Sequence, residues 1–205
     1  MTSSDKGNRN YRLGEGSPVD NLALSVISKI SDGSNKHRNR RLDVGTRMLL
    51  TAVLEDPKFD QDQMIADLQS FRINQSDMID HCIPQAAAQL GEFWSDNTLS
   101  FTRVSSASAR LFGLCKAIGR EWDGIRPQIN SRTILLATVK REDHIIGPAL
   151  LAEQLRRRGH SVRMLTNSNG SEIAQALREA QFDGVLISAS SLITLEFAKE
   201  AIRKL

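Results

Sequence analysis

The chain has 205 residues, enough for one or two domains, and its 40% hydrophobic and 25% charged content is that of an ordinary globular protein. Aromatics make up only 5%, so Leu, Ile, Val, Ala and Met must fill the core; the net charge of +3 argues for nucleic acid only if basic residues gather on one element. Cys82 and Cys115 form no CxxC pair, which excludes a zinc ribbon or a dithiol motif, and they read as buried small hydrophobes. No signal-like run opens the chain and no stretch reaches membrane-span length, so a cytoplasmic, non-membrane protein is expected.

Residues 1 to 41 read as a disordered basic tail. Residues 21 to 30, with Leu22, Leu24, Ile27 and Ile30 apolar, form a short helix that Ser31 to Asn35 should break. The basic cluster Lys36, His37, Arg38, Arg40 and Arg41 then falls in a loop and reads as a solvated linker. From 42 to 126 the apolar spacing predicts a four-helix cap. Met48, Leu49, Ala52 and Val53 mark its first helix. Asp60 caps a second, bearing Met64, Ile65, Leu68 and Phe71. Ser76 caps a third, in which Pro84 should kink the axis or shift the start, and Asp96-Asn97 ends it. Phe101 to Trp122 makes the fourth, with Val104, Ala107, Leu111, Leu114 and Ile118 on one face.

Asp123 to Ser131 is a linker, after which the period changes. Thr133 to Val139 is a nearly continuous apolar run, the mark of a buried parallel strand. Pro148 to Arg158 is a helix ended by Gly159, Ser161 to Leu165 a strand, and Ser171 to Ala180 a helix capped by Ser171. Gly184 to Ala189 is a third strand and Leu195 to Leu205 a third helix. Residues 132 to 205 are thus an α/β unit of the doubly wound, parallel-sheet (Rossmann-like) kind, shorter by two or three strands than such sheets usually run. An incomplete unit, truncated after the third helix, is the expectation.

Chemistry concentrates after the first strand, in Glu142-Asp143-His144-Ile145-Ile146-Gly147. Loops at the carboxyl ends of parallel strands are where such sheets bind ligands. Glu142 stands two residues before His144 and is suited to bond the ring nitrogen that faces away from a metal. Gly147 permits close approach or a sharp turn. His37, His81 and His160 build no metal cluster, and no nucleophile–base pair, phosphate loop or paired catalytic carboxylates occur, so no enzyme activity is expected.

The segment resembles the DxHxxG signature of cobalamin-binding domains such as that of methionine synthase, with Glu142 at the Asp position. Ser190 and Leu192 resemble the SxL element of the same family, where the serine contacts the buried nucleotide tail. Leu90-Gly91-Glu92-Phe93-Trp94, with Val104, resembles the helical cap whose tryptophan reaches over the upper corrin face. The photoreceptor members that carry a Glu-His pair beyond that tryptophan differ from this chain, which has Val104-Ser105 there. The overall layout is similar to photosynthesis-gene antirepressors of the PpaA/AerR type.

The resemblance implies a cobalamin cofactor, hydroxocobalamin or adenosylcobalamin, with cobalt on His144. It also implies a transcription regulator, photoreceptor-like in its response to light, whose partner is a DNA-binding repressor; direct contact with DNA stays open. A corrinoid shuttle for a methyltransferase, a haem sensor and an unliganded interaction domain are the alternative readings.

Overall fold

A computed structural model describes residues 18–120, 122 and 130–205, with side chains from residue 35 onward. The chain divides into two compact units, 1–40 and 41–205, and the helical layer and the sheet belong to the second. The first helix, α1 (Pro18–Glu55), is continuous. The break expected at Ser31 to Asn35 is absent. Gly33 and its polar neighbours are weak helix formers, but a helix already nucleated propagates through a few such residues. Of the disordered tail expected at residues 1 to 41, residues 18 to 41 are instead helical, whereas residues 1 to 17 and the linker around Gly124 and Pro127 lie outside the described residues.

Four more helices follow. α2 (Gln61–Ser70) begins at Asp60, whose carboxylate accepts the Gln63 N–H at 2.8 Å, as its sequence predicts. α3 (Gln75–Asp77) is capped by Asn74 rather than by Ser76; the Asn74 side chain accepts the Asp77 N–H at 2.8 Å. A π-helical turn, Met78–Cys82, joins α3 to α4 (Ile83–Ser95). Pro84 is the physical reason for this wide turn. Proline has no N–H to give and its ring crowds the carbonyl four residues back, so the ladder widens ahead of it. The Ile83 N–H accordingly reaches the Met78 carbonyl, five residues back. α4 stops at Asp96, with Asn97 left-handed at φ 55°. α5 (Phe101–Gly119) is capped by Ser100 and ends three residues before Trp122.

The α/β part is a three-stranded parallel sheet in the order β2-β1-β3. The strands are β1 (Thr133–Val139), β2 (Ser161–Ser168) and β3 (Gly184–Ser188). The run expected to be most buried is the central strand, with Leu135 to Val139 all buried. The helices between and after the strands are α6 (Ile146–Arg157), α7 (Gly170–Glu179) and α8 (Leu192–Ile202). Gly159, at φ 84°, ends α6 as expected. The cap of α7 is Asn169 rather than Ser171. Asn169 and Glu172 exchange side-chain-to-backbone bonds in a capping box. The α8 cap is Ser191, so that helix starts three residues earlier than its apolar pattern suggests.

Two apolar clusters organise the second unit. The larger is helical. Leu49, Leu68, Met78, Ile83, Leu90, Leu111, Leu114 and Ile118 are among its largest side chains, and Ala149 and Leu150 of α6 join it. The smaller combines Leu135 and Ala137 of β1 with Ile173 and Ala176 of α7 and Ala201 of α8. Thus α6 has one side in the helical core and its chain neighbours in the sheet. Polar contacts reinforce its far end. Arg157 reaches Asp80 of the π-helical turn at 2.8 Å and lies 5.6 Å over the Trp122 ring. Glu153, 1% exposed, is paired with Arg156 at 2.6 Å and sits against the backbone of Gly119 in α5.

A Cβ at residue 119 would collide with the Glu153 carboxylate, which is buried and held by Arg156. Gly119→Ala is therefore expected to destabilise the protein by about 1–3 kcal/mol. A lowered urea midpoint measures this, and an unchanged midpoint would contradict the packing.

Candidate functional site

The chain leaves β1 in a tight reversal. The Lys140 N–H donates to the Ser168 carbonyl at 3.1 Å, and Arg141 takes a left-handed conformation at φ 64°. A non-glycine residue holds that conformation at some cost, where its surroundings enforce it. Here the Arg141 guanidinium stands 5.8 Å over the Phe197 ring of α8. Beyond the reversal, Glu142 and His144 point in opposite directions. Glu142 is driven inward, its side chain 0% exposed, and His144 stands outward at 73%.

Buried Glu142 is a carboxylate with a full set of donors. Its Oε1 accepts the His144 N–H at 2.9 Å and the Ser190 hydroxyl at 2.6 Å, and its Oε2 accepts the Ser190 N–H. Burial alone would push this carboxyl up. The Ser190 hydroxyl, the two backbone N–H groups and the Thr194 hydroxyl outweigh it and hold the pKa at about 2, below the ordinary 4.5. The charge therefore persists inside the protein.

That fixed charge decides the orientation of His144. Nδ1 lies 3.1 Å from Glu142 Oε1 and 2.8 Å from Ser190 Oγ. The carboxylate can only accept, and the Ser190 hydroxyl proton already points at it. Nδ1 must then carry the proton and donate to both oxygens. In the neutral ring Nε2 keeps its lone pair, on the exposed side. An imidazole whose inner nitrogen donates to a carboxylate is the arrangement that raises the basicity of a metal-ligating histidine.

The structure thus brings Glu142, His144 and Ser190 into one hydrogen-bonded cluster. Gly147 follows in the first turn of α6, where an added Cβ would meet nothing within 4 Å. No intramolecular contact requires glycine there, and the surface beside His144 is open. Leu192, first residue of α8, is 83% exposed. Trp94 is 52% exposed and is no part of the helical core, whereas Val104 packs against that core. Neither belongs to the His144 cluster.

Two features were not read from the sequence. Ser190, which the resemblance places against a nucleotide tail, has its hydroxyl bonded to Glu142 and His144. The long arm of Glu142 makes this reach to β3 and α8. Thr194, 2% exposed, closes the corner: its hydroxyl accepts the Ser190 and Ser191 N–H groups at 3.1 and 3.0 Å, while Ser191 caps the Thr194 N–H. The Ser-x-x-Thr spacing was the available signal. No group of three or more His, Cys, Asp or Glu residues fit to hold a metal ion occurs among the described residues.

Fold and site together define a helical layer joined to a parallel α/β sheet that presents a carboxylate-oriented imidazole at the carboxyl end of its central strand. No family model matches the chain. An uncharacterised 20.5 kDa protein in the bchF-crtJ intergenic region of Rhodobacter capsulatus is 29% identical over 146 residues, 70% of this chain and 76% of that protein. Among solved structures, the methanol:cobalamin methyltransferase complex MtaBC of Methanosarcina barkeri matches with a TM-score of 0.39 and 16% identity. That match covers 78% of this chain, which spans 61% of the matched chain. No described helix is long and apolar enough to cross a membrane.

Glu142 also sets an acid limit. Its carboxyl is held at about 2 in the folded protein against 4.5 ordinarily, so its contribution is present above pH 4.5 and is lost as the pH falls toward 2. Linkage converts the difference to about 3 kcal/mol. Glu142→Gln is expected to lack that contribution, so its urea midpoint should approach the parent's between about pH 5 and pH 2. A gap independent of pH would contradict the assignment.

Proposed function

We propose that this chain is a cobalamin-binding regulator with no catalysis of its own, in which His144 Nε2 is the lower axial ligand to cobalt. The observation that carries the reading is the placement of Nδ1, 3.1 Å from Glu142 Oε1 and 2.8 Å from Ser190 Oγ: both oxygens accept the Nδ1 hydrogen bond, which leaves an exposed Nε2 lone pair at the carboxyl edge of the sheet. The residues fit the cofactor in two further respects. A lone imidazole cannot retain a free ion, but it suffices for a metal already held in a macrocycle. The open surface over Gly147 admits a large planar group close to the backbone. Cobalamin bound there would be held by His144 and would supply a cobalt ion able to exchange a further ligand.

The relative from the bchF-crtJ intergenic region accords with the regulator resemblance read from the sequence. On that reading the half-exposed Trp94 faces the upper side of the corrin, and cofactor state, including its change in light, alters binding to a DNA-binding repressor. Such a shift requires the partner to bind the two states with different affinity. Partner binding by dark, illuminated and cofactor-free protein measures it directly; equal affinity in all three would leave a cobalamin binder without regulatory output.

Titration of the purified protein with hydroxocobalamin or adenosylcobalamin, followed by its visible spectrum, tests the binding itself. A histidine-ligated spectrum is expected. His144→Ala should remove that signature, and Glu142→Gln should weaken binding about 10- to 100-fold by releasing the ring orientation. An unchanged spectrum and affinity in His144→Ala would refute the assignment.

A further inference from the structure

A DNA-contacting surface requires basic residues gathered on one element. The sequence places Lys36, His37, Arg40 and Arg41 in a loop, but the structure places all four in helix α1, and all are exposed. At helical spacing Lys36 lies one turn from Arg40, and His37 one turn from Arg41. None of these four side chains takes part in an ion pair or hydrogen bond among the described residues. Basic residues one turn apart repel one another and weaken a helix unless something neutralises them.

We propose that this stretch of α1 binds the phosphate backbone of duplex DNA without reading its sequence. The residues around the cations select this partner over others. Residues 34 to 41, Ser-Asn-Lys-His-Arg-Asn-Arg-Arg, contain no apolar side chain. A protein interface draws its affinity from buried aromatic or aliphatic anchors, and none is offered here. Single-stranded nucleic acid is held by aromatic stacking platforms, and none is offered for that either. Arg, Lys, Ser and Asn are the side chains that contact phosphate oxygens and fix a protein on a duplex. The inference is independent of the cobalamin site.

The test uses the full chain and a fluorescein-labelled duplex of mixed sequence, with anisotropy read at low and moderate salt. The parent should bind weakly, in the micromolar range or above, with affinity that falls steeply as salt rises. The triple variant Lys36→Ala, Arg40→Ala, Arg41→Ala should lose on the order of tenfold or more, and its log–log salt slope should flatten by about 2–3. Alanine favours helix, so circular dichroism should show α1 intact. A charge-matched control, Arg103→Ala, Arg178→Ala, Arg203→Ala, removes exposed cations elsewhere and should bind as the parent does. Three results would each overturn the proposal: no binding by the parent at low salt, equal losses in both triple variants, or competition by polyglutamate as effective as by unlabelled duplex.

Discussion

A single buried charge, the Glu142 carboxylate, holds the carboxyl edge of the sheet together. A carboxylate removed from water is costly unless each oxygen finds donors. Glu142 finds them on two loops far apart in sequence: the His144 N–H after β1, and the hydroxyl and N–H of Ser190 after β3. The solvation of one charge thereby fixes the distance between the loops, the start of α8 and the attitude of the imidazole. Losing any donor would expose the others to the same penalty, so the cluster is expected to behave as a unit rather than as separable bonds.

The helical layer reaches this edge through α6. That helix begins beside His144, contributes Ala149 and Leu150 to the helical core, and ends in the Arg157 contacts to Asp80 and Trp122. Few of these contacts are flexible. Glu153 against Gly119 leaves no room for a side chain, and the π-helical turn that presents Asp80 is imposed by Pro84. A change at one end of α6 has a packed route to the other. Whether ligand state uses it is a question of differential affinity, not of distance.

Much of the architecture was legible because apolar periodicity dominates it. The run from Thr133 to Val139 fits a buried parallel strand, and the turn at Gly159 follows from glycine's freedom at positive φ. Where local signals competed, the sequence was a weaker guide. Ser76 and Ser171 are acceptable caps, but Asn74 and Asn169 stand where the chain enters each helix. Gly33 and its polar neighbours predicted a break that the helix overrides. In the site, the Glu–x–His–x–x–Gly spacing identified the pair that meets. It did not reveal that Ser190 would be spent on that pair, because the length of a glutamate arm matters only once β3 is placed beside β1.

The central claim is that His144 Nε2, and no other nitrogen, meets cobalt. Electron paramagnetic resonance of the protein loaded with cob(II)alamin reads the axial nitrogen directly through its nuclear spin. Protein carrying ¹⁵N-labelled histidine and unlabelled cofactor should show the superhyperfine lines as doublets, and unlabelled protein as triplets. Triplets in both samples would mean that the axial nitrogen belongs to the cofactor's own base, and the account of Glu142, Ser190 and His144 as an axial-ligand device would be wrong.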